Sequence, residues 1–120
     1  MTERTIYKIC TSAEWAVAES AGVYAGSALD LKDGFIHFSS AAQATSTAVK
    51  YFAGQGDLLL IEVDGAALGD QVKWEAAREG ELFPHLYAAL PLSAVSAVHA
   101  LPLDDAGVHV FPENFGEHAT

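Results

Sequence analysis

Two residues with chemical potential, His37 and Ser39, fall on either side of Phe38 in the stretch Asp33-Gly34-Phe35-Ile36-His37-Phe38-Ser39-Ser40. The stretch reads as a short strand that stops at a hydroxyl pair and runs into a helix. Strand side chains alternate, so Ile36 and Phe38 share one face while Phe35, His37 and Ser39 share the other. One face can enter a core, and the other sets an aromatic ring, an imidazole and a hydroxyl in a row. Strand ends beside helix N-termini are where small anionic ligands bind. A neutral imidazole there can donate to a ribose hydroxyl or a phosphate, and a protonated one adds charge. Ser40 is a good helix N-cap, which leaves Ser39 as the hydroxyl to assign to a ligand.

Two further constellations follow. In Lys73-Trp74-Glu75, strand geometry turns Trp74 toward the core and the charged pair toward a cleft or solvent. An exposed Lys–Glu pair is ordinarily a solvated face. In Phe83-Pro84-His85-Leu86-Tyr87, Pro84 stiffens the entry and an extended backbone puts His85 and Tyr87 on one face. Rings with polar tips suit stacking on a flat ligand and bonding to its edge, although a packed surface loop has the same spacing. The five histidines show no i,i+4 pair and no HExxH pattern, so no metal site is expected. Neither a GxGxxG nor a GxxxxGKS loop occurs, and no serine sits in a GxSxG elbow.

These residues need elements to hold them. Residues 5–10 (TIYKIC) alternate as a first strand, followed by a helix over 13–20 capped by Thr11 or Ser12 and stopped by Gly22. Residues 23–33 lack periodicity and read as a loop; 34–39 form the second strand. A helix from Ser40 to about residue 53 carries Gln43 at the capping-box position, with Ala41, Ala44, Ala48 and Phe52 as its buried stripe. Residues 57–64 (DLLLIEVD) are a near-continuous apolar run that predicts a central strand. Asp64-Gly65 marks a turn, 71–75 a short strand, and 94–103 a strand ending near Pro102, although its small residues also suit a helix. Residues 108–111 could pair with it across 104–107. The tail from Pro112 is polar and expected to fray. Several strands with two early helices make an α+β fold with a small mixed or antiparallel sheet core, in one domain spanning 1–120 with its core at about 5–112.

Composition narrows the partners. With 120 residues, 51% of them hydrophobic, the chain can bury a sizeable core. Its net charge of −10 and only six basic residues argue against a nucleic-acid backbone as partner. No apolar run is long enough for a membrane span and the N-terminus lacks a basic-then-apolar leader, so a cytoplasmic protein is expected. The single cysteine, Cys10, excludes an internal disulfide and reads as a small core residue.

The combination of Ile6-Tyr7-Lys8-Ile9, Gly34-Phe35-Ile36-His37-Phe38-Ser39, Lys73-Trp74-Glu75 and Phe83-Pro84-His85-Leu86-Tyr87 closely resembles the domain of unknown function 952 family, over roughly residues 7–112. That family is similar to a compact ADP-ribosyltransferase fold, whose members split NAD at the nicotinamide–ribose bond. The FIHxS element is also similar to one in RNA 2′-phosphotransferases. The resemblance implies NAD as cofactor, a small-molecule nucleotide as partner, and a transferase- or glycohydrolase-type activity. It makes His37 and Glu75 the catalytic candidates, Glu75 as the carboxylate that steadies positive charge on the ribose. It places Ser39, Ser40, Trp74, His85 and Tyr87 about the ligand, and Lys8 or Arg78 at its diphosphate. Tyr7 and Lys8 stand where that superfamily commonly carries Arg or His. The alternatives are a non-catalytic nucleotide- or metabolite-binding module and an interaction protein with its aromatics at a dimer interface; the protein would be a monomer or a homodimer.

Overall fold

Two three-stranded antiparallel sheets meet along a seam at Tyr7 and Ser39 in the computed structural model, which describes residues 5–113 and Phe115, without the Arg78 side chain. The first sheet has the order β1 (Thr5–Thr11), β4 (Leu58–Asp64), β8 (Val95–Ala100). β4 is central, as its apolar run predicts, because both faces of this sheet are covered. On one side Ile6, Cys10, Ile61 and Val63 meet Trp15 and Ala18 of helix α1 (Ser12–Ala21). On the other, Tyr7, Ile9, Leu58 and Leu60 meet Ala44 and Ala48 of helix α3 (Ala41–Phe52). Small residues let α3 lie close to the strands, and each large apolar side chain buried here contributes about 1.5–3 kcal/mol.

The second sheet has the order β3 (Ile36–His37), β6 (Leu82–Leu86), β5 (Val72–Ala76), again all antiparallel. A two-stranded ribbon of β2 (Val23–Tyr24) and β7 (Leu90–Pro91) closes one side. Sheet pairing is therefore antiparallel throughout, and the fold is α+β as expected. Among the described residues no helix is long and apolar enough to cross a membrane.

Three expectations need correction. Residues 23–33 are no loop: they hold β2 and a short helix, α2 (Ala28–Asp33), because Ser27 and Asp30 form a reciprocal capping box. Helix α3 buries Gln43 beside Ala44 and Ala48, while Ala41 and Phe52 of the expected stripe are only partly buried; the Gln43 amide donates to the Leu82 carbonyl at 2.7 Å. Residues 108–111 form no full hairpin arm; a single bridge joins Leu103 to His109 around an Asp104 turn. Most of the tail lies outside the described residues, but Phe115 stacks edge-on against Tyr7 at 4.9 Å and touches Phe111.

Gly26 is the glycine the site depends on. Its φ of +111° suits only glycine, and a Cβ there would lie 2.8 Å from the Asp30 Cβ. Gly26→Ala should therefore cost about 1–3 kcal/mol in urea unfolding and shift the Asp30 amide resonance. A cost near zero would mean that this approach is looser than the geometry shows.

Candidate functional site

Backbone pairing builds the site first. Tyr7 and Ser39 exchange two N–H to O bonds of 2.8 Å each, which ties β1 to the residue that follows β3. Beside this seam lies a cavity of about 640 Å³, walled by β1, α2, α3 and β6 and lined by Tyr7, Lys8, Asp30, His37, Ser39 and His85 among others. That volume is within the range of small-molecule and cofactor pockets.

One wall is a charge network centred on Asp30. The strand register places His37 beside α2, where its Nδ1 lies 2.6 Å from Asp30 Oδ1 and its Nε2 lies 3.0 Å from Asp33 Oδ2. Lys8 Nζ lies 2.8 Å from Asp30 Oδ2. The backbone N–H groups of Ser27 and His37 also donate to Asp30, at 2.8 and 3.1 Å. Burial alone would raise the Asp30 carboxyl, but the His37 bond and the Lys8 charge outweigh it and hold it well below the usual carboxylate range. Asp33 and Glu14 also line the cavity, so it is acidic overall.

His37 and His85 on the second wall belong to a ring cluster whose other members, Phe35 and Tyr87, lie behind the cavity lining. His37 and His85 are direct cross-strand partners, with ring centroids 5.6 Å apart. Phe35 stacks on His85 at 4.1 Å and 24°, and lies 5.3 Å from the Tyr87 ring. His85 Nδ1 lies 2.7 Å from Glu75 Oε1, and the Tyr87 hydroxyl donates to that same oxygen at 2.7 Å. The Tyr87 and His85 hydrogen bonds lower the Glu75 pKa, and the carboxylate in turn raises the Tyr87 phenol.

The structure thus brings Tyr7, Lys8, His37, Ser39 and His85 to one cavity, with Glu75 and Tyr87 joined to it through His85. Three placements differ from expectation. Ser40 uses its hydroxyl to accept from the Gln43 N–H at 3.2 Å, so it is a helix cap and not a cavity residue. Trp74 packs against the apolar core, as strand alternation predicts, and is absent from the cavity lining, against the ligand role the resemblance implies. Lys8 is already paired with Asp30 and so is not a free cation for a diphosphate. The Arg78 side chain lies outside what the structure describes.

Ser39 Oγ shares a 3.0 Å hydrogen bond with Thr47 Oγ1 and still lines the cavity. Tyr7 is almost fully buried; burial and the nearby Glu62 carboxylate raise its phenol. Burial also pushes the Cys10 thiol up to about 12, leaving no nucleophilic thiolate at neutral pH. Among the described residues no group of three or more His, Cys, Asp or Glu is disposed to hold a metal ion.

Sequence reasoning missed Asp30 and Asp33. The available signal was Ser27-Ala28-Leu29-Asp30, a capping-box spacing that would have marked α2 and set both carboxylates on it.

A family model described as "Protein of unknown function (DUF952)" matches residues 9–98. The crystal structure of protein CC0527 from Caulobacter crescentus is similar, with 49% identity over 88% of this chain and 93% of that one, and a TM-score of 0.85. The solution NMR structure of CC0527 matches with 47% identity over 97% of each chain and a TM-score of 0.79. No curated protein matches the chain.

Proposed function

This chain belongs to the DUF952 family of unknown function, and on that footing we propose that its cavity binds NAD or a related nucleotide and cleaves the nicotinamide–ribose bond. The observation that carries the reading is the convergence of His37, Ser39 and His85 on one cavity of nucleotide-fragment size. The fold would be a compact version of the ADP-ribosyltransferase architecture, as its sequence elements suggest.

The charge of the cavity favours one orientation. Its carboxylates attract the cationic nicotinamide ring and favour the oxocarbenium-like charge that grows on the ribose as the bond breaks. They repel a diphosphate, which therefore points to the mouth. Ser39 is placed to bond the ribose or the carboxamide, His37 is held beside it by Asp30 and Asp33, and the Phe35 cluster stiffens the wall behind them. A second reading, a binding module without turnover, is favoured by one observation: Glu75, the carboxylate assigned to chemistry by resemblance, does not line the cavity.

Incubation with NAD should release nicotinamide, detectable by chromatography. Ser39→Ala should weaken NAD binding roughly 2- to 13-fold, the range for losing one neutral hydrogen bond. Saturable binding without release selects the module. No response in melting temperature or chemical shift to NAD, ADP-ribose or nicotinamide would sink both.

A further inference from the structure

The two imidazoles of the cavity are not equivalent, and the difference assigns roles. Each ring nitrogen of His37 faces a carboxylate oxygen, Asp30 at 2.6 Å and Asp33 at 3.0 Å. Carboxylates only accept, so both bonds exist together when both nitrogens carry hydrogen. A ring held in that way has no lone pair to offer a substrate.

His85 is different. Its Nδ1 donates to Glu75 Oε1 at 2.7 Å, an oxygen that also accepts from the Tyr87 hydroxyl. That fixes the Nδ1–H tautomer and leaves a lone pair on Nε2, which has no hydrogen-bond partner among the described residues. The side chain is only 7% exposed, lines the cavity, and is stacked by Phe35 on one face. It also sits on β6, the central strand of its sheet, between the strands that carry His37 and Glu75. A buried imidazole with one nitrogen oriented by a carboxylate and the other free has the arrangement required of a general base.

We propose that His85 is the general base of this cavity, acting through Nε2 on a water or hydroxyl, and that Glu75 is its positioning residue. The substrate named here rests on the NAD reading; the assignment of the base does not. With NAD, His85 Nε2 takes a proton from water as the water oxygen bonds to the anomeric carbon. The carbon–nitrogen bond breaks, its electron pair neutralises the pyridinium ring, and nicotinamide leaves with ADP-ribose as the other product. No further co-reactant is consumed.

The first test needs no ligand. Long-range ¹⁵N–¹H spectra at neutral pH should show His85 as the Nδ1–H tautomer, and Glu75→Gln should move it toward Nε2–H. Finding His85 as Nε2–H in the unsubstituted protein would overturn the proposal. The second test reads turnover of NAD. His85→Ala should lower kcat by roughly 10²–10⁴-fold, leave NAD affinity within a small factor, and respond to added imidazole with partial recovery. Glu75→Gln should lower kcat at unchanged affinity. Unchanged turnover in His85→Ala, or a loss that follows NAD affinity and ignores imidazole, would overturn it. If the unsubstituted protein leaves NAD intact, the NAD reading fails by itself, and the tautomer still decides the role of His85.

Discussion

Asp30→Ala is expected to destabilise the protein by about 3–5 kcal/mol, the usual loss when one partner is stripped from a buried ion pair. The Asp30 side chain is 1% exposed, and it collects Lys8, the His37 ring and two backbone N–H groups. Removing it leaves Lys8 buried without its counter-charge and the Ser27 backbone N–H without its acceptor, which breaks the reciprocal half of the α2 capping box. Lys8→Met should cost less, about 1.5–3 kcal/mol, because Asp30 then keeps three of its donors. The sign of the pH effect follows from the direction of the shift. The folded carboxyl titrates below its reference value of 3.8, so its contribution is complete well above that value. It fades as pH falls through the carboxylate range and below. Urea unfolding at pH 7, 5 and 3 should show a steep acid loss in the unsubstituted protein and a shallower one in Asp30→Ala. Parallel losses in the two proteins, or a cost of Asp30→Ala below that of Lys8→Met, would contradict this account.

That network was hidden in the sequence for a physical reason. Charged residues are almost never fully buried unless paired, and the Lys8 partner of Asp30 lies 22 positions away. Hydrophobic periodicity carries no information about such a pairing. Helix α2 has six residues, too few for an amphipathic pattern to register, so only its capping box could announce it. By contrast, β4 was legible because burial on both faces demands a continuous apolar run. The cap of α3 was legible because Ser40 and Gln43 are a local pair. Alternation along 83–87 placed His85 and Tyr87 together, and both do reach Glu75. What alternation could not give is which face of β6 opens to the cavity and which carboxylate meets which imidazole. Those depend on how one sheet is set against the other at Tyr7 and Ser39, a contact between segments far apart in sequence. The same limit explains Phe115, whose packing on Tyr7 depends on a chain end that composition reads as solvent-exposed.

Leu86→Ala is the second large effect, and it tests whether core packing sets the alignment of the site. Leu86 is fully buried, next in sequence to His85, and paired across the strands with both Ile36 and Val72. Because strand residues alternate, the chain can hold His85 at the cavity only while Leu86 is seated in the core on the opposite face. Truncation should cost about 2–5 kcal/mol through lost transfer energy and the void left behind. It should also loosen the pairing of His37 with His85, one residue further along the same register. Leu90→Ala makes the comparison, since Leu90 is equally buried in the same apolar cluster but lies on β7, which pairs with β2 and not with β3. Both variants should lose stability in urea unfolding, whereas only Leu86→Ala should reduce the ring-current shift that Phe35 imposes on the His85 ring protons. Equal displacement of His85 in both variants would mean that its position is set by the whole core. An undisturbed His85 in Leu86→Ala would mean that the bonds to Glu75 and the Phe35 stack hold the ring by themselves.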